Sequence, residues 1–202
     1  MQMSISDALS VTLPGTRSAV LMTVKRHFTL ALVLTFCKGP LQSATLERLS
    51  LADMITQSTA IVRAKVVDSY AAYSGRVIYT HYRLQVSESL KGSSPVGEVL
   101  IPGGVANDFR QTFAGAPQLQ PGSEYVLFLW AGKAGLTQVI GLTQGLFVIP
   151  PGAGSDPTLT RAASHELMLE RGSGRQVKDQ TLVMKLSDLR SQIAGALGSA
   201  AK

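Results

Sequence analysis

The chain has 202 residues, 19 Lys and Arg against 13 Asp and Glu, and a single cysteine, Cys37. That length fits one domain, or one with a tail. One thiol excludes a disulfide framework and a thiolate metal centre, and no cluster of Lys and Arg interleaved with aromatics points to nucleic acid.

In chain order, Lys25 and Arg26, an apolar run at residues 28–36 and a Pro-to-Ala stretch at 40–44 follow the plan of a secretory signal peptide. The apolar run is shorter than the roughly 20 residues of a bilayer span. Residues 1–44 are therefore expected to be a leader cut after Ala44, although Gln42 is a poor residue at the −3 position. Met22 would begin a signal of ordinary length, and Phe36 is too large for a lipoprotein box before Cys37. Removing Arg17, Lys25, Arg26, Lys38 and Asp7 leaves 15 basic and 12 acidic residues, a net of +3 that reads as an ordinary solvated surface. The exported chain would carry no thiol and no cysteine nucleophile. Its expected place is the periplasm or the exterior, with membrane contact only if the leader stays uncut.

A short helix is expected over Leu51–Gln57, with Ser50 as N-cap, Asp53 at N3, and Leu49 and Met54 spaced as a hydrophobic staple. Residues 60–90 then form two alternating runs joined at 74–76. Val62, Ala64 and Val66 share one parity in the first run. In the second, Ile78, Thr80, Tyr82, Leu84 and Val86 share another, resumed at Leu90, while Tyr79, His81, Arg83, Gln85, Ser87 and Ser89 oppose them. Period two predicts a long antiparallel hairpin with one buried face. A two-stranded hairpin is marginal alone, so the later segments must cover it.

Residues 98–101 read as a third strand stopped by Pro102, and 105–122 as a long loop anchored by Phe109 and Phe113. The run YVLFLW at 125–130 is apolar on both parities, as a strand covered on both faces requires. Strands follow at 136–140 and 146–149, with Gly141 and Gly145 flanking a bend. Residues 152–179 are polar and Gly/Ser-rich, an ordered excursion or a linker. An edge strand at 182–185 leads to a helix capped by Ser187, with Leu189, Ile193 and Leu197 as its apolar stripe. The expected fold is mainly β: a small antiparallel OB-like barrel, or alternatively a sandwich, with a short N-terminal helix and a C-terminal amphipathic helix. The expected organisation is a leader at 1–44, a β-barrel domain at 45–151, and an excursion or linker plus helix at 152–202.

Several segments carry a resemblance: SLADMITQSTAIVRAKVV at 50–67, SESLKG at 87–92, VLIPGG at 99–104, PGSEYVLFL at 121–129, VIGLTQGLFVI at 139–149 and KLSDLRSQI at 185–193. Together they resemble uncharacterised exported bacterial β domains found alone or near matrixin-like metalloproteases. More distantly, the strand order is similar to netrin-like domains, the tissue inhibitors of metalloproteinases among them. The resemblance implies an OB-type barrel. It does not imply inhibition, because those inhibitors chelate zinc through an N-terminal cysteine and the expected mature end here is Thr45.

No nucleophile elbow, phosphate loop or dinucleotide fingerprint occurs. His165 in SHELMLE resembles half of a zinc helix, but Leu169 stands where the second His belongs. The expectation is a non-enzymatic exported binding module without cofactor or metal, its partner an unidentified protein or envelope component. Its candidate surfaces are the wet hairpin face with Tyr79, His81 and Arg83, and the loop with Asn107, Phe109 and Arg110. PGGVAN at 102–107 could bring backbone close to a ligand, though such glycines more often shape a turn. The alternatives are a hydrolase using His81 or His165 as base, and a membrane-tethered structural protein.

Overall fold

Ser50 is the N-cap of helix α1 (Leu51–Gln57), and its reciprocal bonds with Asp53 complete a capping box. The computed structural model describes residues 44–200 except 94, 133 and 134, so the expected leader lies almost wholly outside the described residues. Strand β1 (Thr45–Glu47) precedes α1, and two 15-residue strands follow, β2 (Ala60–Ser74) and β3 (Val77–Lys91). They pair antiparallel through a two-residue Gly75-Arg76 turn, with Gly75 at φ +63°. Beyond them come β4 (Glu98–Pro102), β5 (Gly104–Ala106), β6 (Phe109–Gln111), β7 (Glu124–Ala131), β8 (Thr137–Val139), a 3-10 turn (Leu142–Gly145) and β9 (Leu146–Ile149). The chain then forms β10 (Thr158–Arg161), β11 (Leu167–Leu169), β12 (Gln176–Val177), β13 (Leu182–Lys185) and helix α2 (Leu186–Ala200).

The main sheet runs β13-β10-β9-β7-β2-β3-β4, with β8 beside β9 on the same flank of β7. It curls until β4 lies against β8, so five strands wrap one core as a small, open barrel. Three register slips in the hairpin leave Val67, Ser87 and Leu90 without partners. Such bulges sharpen the bend and twist of a strand, which is what the curl requires.

Inside the barrel lie Val62, Ala64 and Val66 from β2, Tyr82 and Leu84 from β3, Val99 and Ile101 from β4, and Tyr125, Leu127 and Leu129 from β7. Leu119, 2% exposed, plugs this core from the 112–123 loop. The opposite faces of the same strands supply Ile61, Val126 and Phe128 to a second core, roofed by Met54 and Ile55 of α1 and by Leu186, Leu189 and Ile193 of α2. The two-sided burial expected of YVLFLW is the join between the cores.

The structure corrects four details. Val86 is 37% exposed although it shares the buried parity, because β4 stops at the Glu98–Arg83 pair and leaves that part of β3 uncovered. Leu90, carried round by the bulges, packs against the second core instead of the barrel interior. Ser187 does not cap α2: Asp156 does, accepting from the Ser187 N–H at 2.8 Å and from its hydroxyl at 3.1 Å, while Leu197 is 38% exposed. Residues 105–122 are not all loop, since β5 and β6 pair as a ribbon through Asn107 and Asp108, both at positive φ.

Residues 152–200 are stitched into the body. β10 and β13 extend the main sheet beyond β9, and β11 pairs parallel with β1 and antiparallel with β12. The stretch is fastened by Arg161, 3% exposed, whose Nη2 donates to Asp179 Oδ1 at 2.7 Å and to the Gln180 carbonyl at 2.6 Å. The Arg161 Nε and Nη1 are buried without hydrogen-bond partners.

Burial raises the Asp179 carboxyl, but the Ser164 N–H, the Arg161 guanidinium and the Gln180 backbone outweigh it and leave the pKa below the ordinary value. A depressed carboxylate contributes stability above the unfolded-state pKa, and that contribution is lost as pH falls through the folded value. Asp179→Asn leaves a buried cation unpaired, at a cost of about 3–5 kcal/mol. Calorimetry at pH 7 should show a melting temperature lower by roughly 6–15 °C. Its acid-side decline should be shallower than that of the wild type. The Arg161→Met, Asp179→Leu double variant should recover most of the loss.

Candidate functional site

The candidate residues fall on opposite faces of the outer half of the hairpin. On the outer face, cross-strand pairing makes a grid: Asp68, Arg83 and Glu98 form one row, Tyr70, His81 and Leu100 the next, and Ala72, Tyr79 and Pro102 the third. On the inner face, Gly104 approaches Ala71, Ile78 and Thr80, bringing the β5–β6 ribbon down with Asn107, Phe109 and Arg110. One flat partner cannot touch both sets.

The outer grid is internally bonded. His81 Nδ1 lies 2.9 Å from Glu98 Oε2, and the Tyr70 hydroxyl donates to Glu98 Oε1 at 3.0 Å. The Tyr70 ring stacks on the imidazole with centroids 4.6 Å apart, and the Arg83 guanidinium sits 5.5 Å above Tyr70 while reaching Asp68 at 3.7 Å. The His81 side chain is only 15% exposed, so it is sheltered rather than solvent-facing. Tyr79 is half-buried in the third row. The residues that sequence reading missed are Tyr70 and Glu98. Strand parity within β3 carries no sign of them, because cross-strand register brings them in.

A carboxylate on Nδ1 orients an imidazole with Nε2 available, the arrangement that general-base chemistry uses. Here Nε2 has no hydroxyl within hydrogen-bond distance among the described residues, and no group of three metal-ligating side chains occurs among them. Glu98 also borders a cleft of about 500 Å³ that includes Leu100, Val96, Ala60 and Thr137. His165 is exposed, at a shallow concavity with Ser164, Glu166, Lys178 and Asp179, far along the chain from the hairpin.

The inner-face ribbon is built differently. Gly103 and Gly104 take φ of +109° and +139°, and a Cβ on Gly104 would stand 2.7 Å from Thr80 Oγ1. PGG thus shapes a turn and lets the ribbon press against the hairpin. The Thr80 hydroxyl donates to the Gly103 carbonyl at 2.7 Å. Gln111 accepts from the Ile78 N–H at 2.6 Å and donates to the Arg76 carbonyl at 3.1 Å. Phe109, 68% exposed, is the most exposed large apolar side chain among the described residues, and Val105, Phe113 and Tyr73 are also exposed at this end. Beneath the ribbon lies a concavity of about 210 Å³ lined in part by Thr80, Tyr82, Arg110 and Phe113. Among the described residues no helix is long and apolar enough to cross a membrane.

No protein-family model matches the chain, and no curated protein matches it. The site rests on its own geometry.

The Glu98 bond is the main cause that holds the Tyr70 phenol above its ordinary pKa, followed by burial. Glu98→Gln should bring Tyr70 down towards the ordinary phenol value, read as the midpoint of its ring carbon shift in an NMR pH titration. Gly104→Ala, strained in φ and crowded by Thr80, should speed amide exchange across 104–111 by at least an order of magnitude while β2 and β7 amides keep their protection.

Proposed function

We propose that this protein is a non-enzymatic binding module, exported to the cell envelope, that takes a protein partner on the ribbon side of its hairpin. One observation carries the reading: large apolar side chains stand uncovered on a ribbon that the body holds firmly in place. A monomer rarely leaves large apolar side chains grouped in the open without an interaction to serve. Aromatic and Arg side chains are enriched at the energetic centres of protein interfaces. Phe109, Phe113, Tyr73 and Arg110 supply both kinds here.

The outer face supports this assignment by contrast. Its Tyr70 and His81 are both bonded to Glu98, and Arg83 stands 3.7 Å from Asp68, so a partner would have to compete with these contacts to engage them. A hydrolase reading needs a nucleophile or activated water at His81 Nε2, and no hydroxyl stands within hydrogen-bond distance of that atom among the described residues. The export part of the reading rests on the leader-like residues 1–44 and on the resemblance of the strand motifs.

The test is affinity capture from envelope extract, followed by reconstitution with the purified captured protein. Phe109→Ala with Phe113→Ala should weaken the reconstituted complex at least tenfold without changing the melting temperature. Tyr70→Phe with His81→Gln should leave it within twofold. The reverse pattern would move the interface to the outer face, and a hydrolytic activity lost in His81→Gln would replace the reading altogether.

A further inference from the structure

The arginines mark what kind of partner this end accepts. Six of the described arginines stand within ion-pair distance of a carboxylate: Arg63 with Glu124, Arg83 with Asp68, Arg161 with Asp179, Arg171 with Glu47 and Asp53, Arg175 with Glu170 and Arg190 with Glu88. Arg48, Arg76 and Arg110 have none at that distance, although Arg48 is felt electrostatically by Glu170 on β11's flank. The other two stand at the ribbon. Arg110 lines the 210 Å³ concavity beside Phe113, and the Arg76 carbonyl is tied to Gln111 across from it.

We propose that this concavity is a docking site for an extended, carboxylate-bearing segment of the partner protein, with Arg110 as its counter-charge and Phe113 as its apolar contact, and with Arg76 on the adjoining hairpin turn and Phe109 on the ribbon flanking it. The proposal rests on the binding reading above and deepens it. Three features carry it. An Arg guanidinium pairs with carboxylate through two parallel donors, and both arginines are exposed with those donors unspent. The space suits a side chain or a short strand and is too small for a drug-sized molecule. The ribbon has only two strands, so its outer edges offer main-chain donors and acceptors to an added strand. Asp108 is the one acidic side chain of the ribbon, and it sits at the turn between β5 and β6, two positions from Arg110. That carboxylate disfavours an anionic lipid surface, which would have to cover the turn as a whole. A peptide lying along β6 towards Phe113 can avoid it.

The experiment titrates the isotope-labelled protein with two synthetic hexapeptides, one alternating Glu with Val and Phe, the other with Lys in place of Glu. A third arm uses vesicles of phosphatidylglycerol and phosphatidylcholine. The expected result is saturable movement of the Phe109, Arg110 and Phe113 amide signals by the acidic peptide alone. Arg76→Glu with Arg110→Glu should weaken that binding roughly tenfold or more and transfer preference to the basic peptide. Equal response to both peptides, no response to the acidic one, or movement confined to residues 79–83 would overturn the proposal. So would binding to vesicles without binding to peptide, which would assign the ribbon to a lipid surface. The two readings separate cleanly: a reconstituted complex lost in the Phe109, Phe113 variant but kept in the double charge reversal sinks the carboxylate proposal and leaves the binding module standing.

Discussion

The pairing of β2 with β7 is the constraint on which the rest depends. These strands meet over Ala60–Lys65 and Glu124–Leu129, in the middle of the sheet; β7 is buried on both faces from Tyr125 to Leu129 and β2 from Ala60 to Val62, beyond which Arg63 and Lys65 make its outer face polar. A strand buried on both faces cannot alternate apolar with polar, so every side chain from Tyr125 to Leu129 must find a core. The sheet therefore needs material above and below. The curl of β3, β4 and β8 supplies one cover, and α1 and α2 with β9 and β10 supply the other. Because one pair of strands serves both cores, neither can be lost while the other persists.

Charge is placed around this centre with economy. Arg63 and Glu124, diagonal cross-strand neighbours two residues out of register on β2 and β7, meet at 2.7 Å at the edge of the apolar region. Arg190 of α2 grips Glu88 of β3 with two bonds of 2.8 Å, fixing the helix to the hairpin at a point where β4 no longer covers the strand. Lys91 reaches the carbonyls of Ile55 and Thr56 at the end of α1, where a cation complements the helix terminus. The proposed docking surface differs in kind. There the cations are left open, and the apolar side chains that elsewhere face inward stand in solvent.

What could be read from the sequence was whatever local pattern decides. Ser50, Asp53 and the apolar spacing fixed α1 to the residue, alternation located the hairpin, and short apolar runs bounded by Gly and Pro located β4, β7 and β9. The N-cap of α2 escaped because Asp156 lies 31 residues from the position it serves. The ribbon escaped because three-residue strands have too little alternation to register, and its signal, Asn107-Asp108 in the left-handed region, is a turn that many loops share. Half of the outer site was visible as Tyr79, His81 and Arg83. Tyr70 and Glu98 were not, since only the bulged register puts Tyr70 opposite His81 and only β4 brings Glu98 beside it.

The distant cap on α2 has a consequence for the order in which the molecule is made. The last helix draws its first-turn partner from a segment that leads into β10, and the Leu186 N–H is taken by the Pro157 carbonyl. It has no satisfied beginning until that earlier strand has been laid beside β13. On a growing chain the α2 half of the roof over the second core thus arrives long after the α1 half, and until it docks Met54 and Ile55 are the only helical cover over Phe128 and Phe147 among the described residues. The interval between emergence and closure is when this protein is most exposed to sticking to its neighbours, a hazard set by chain connectivity and independent of how stable the finished fold becomes.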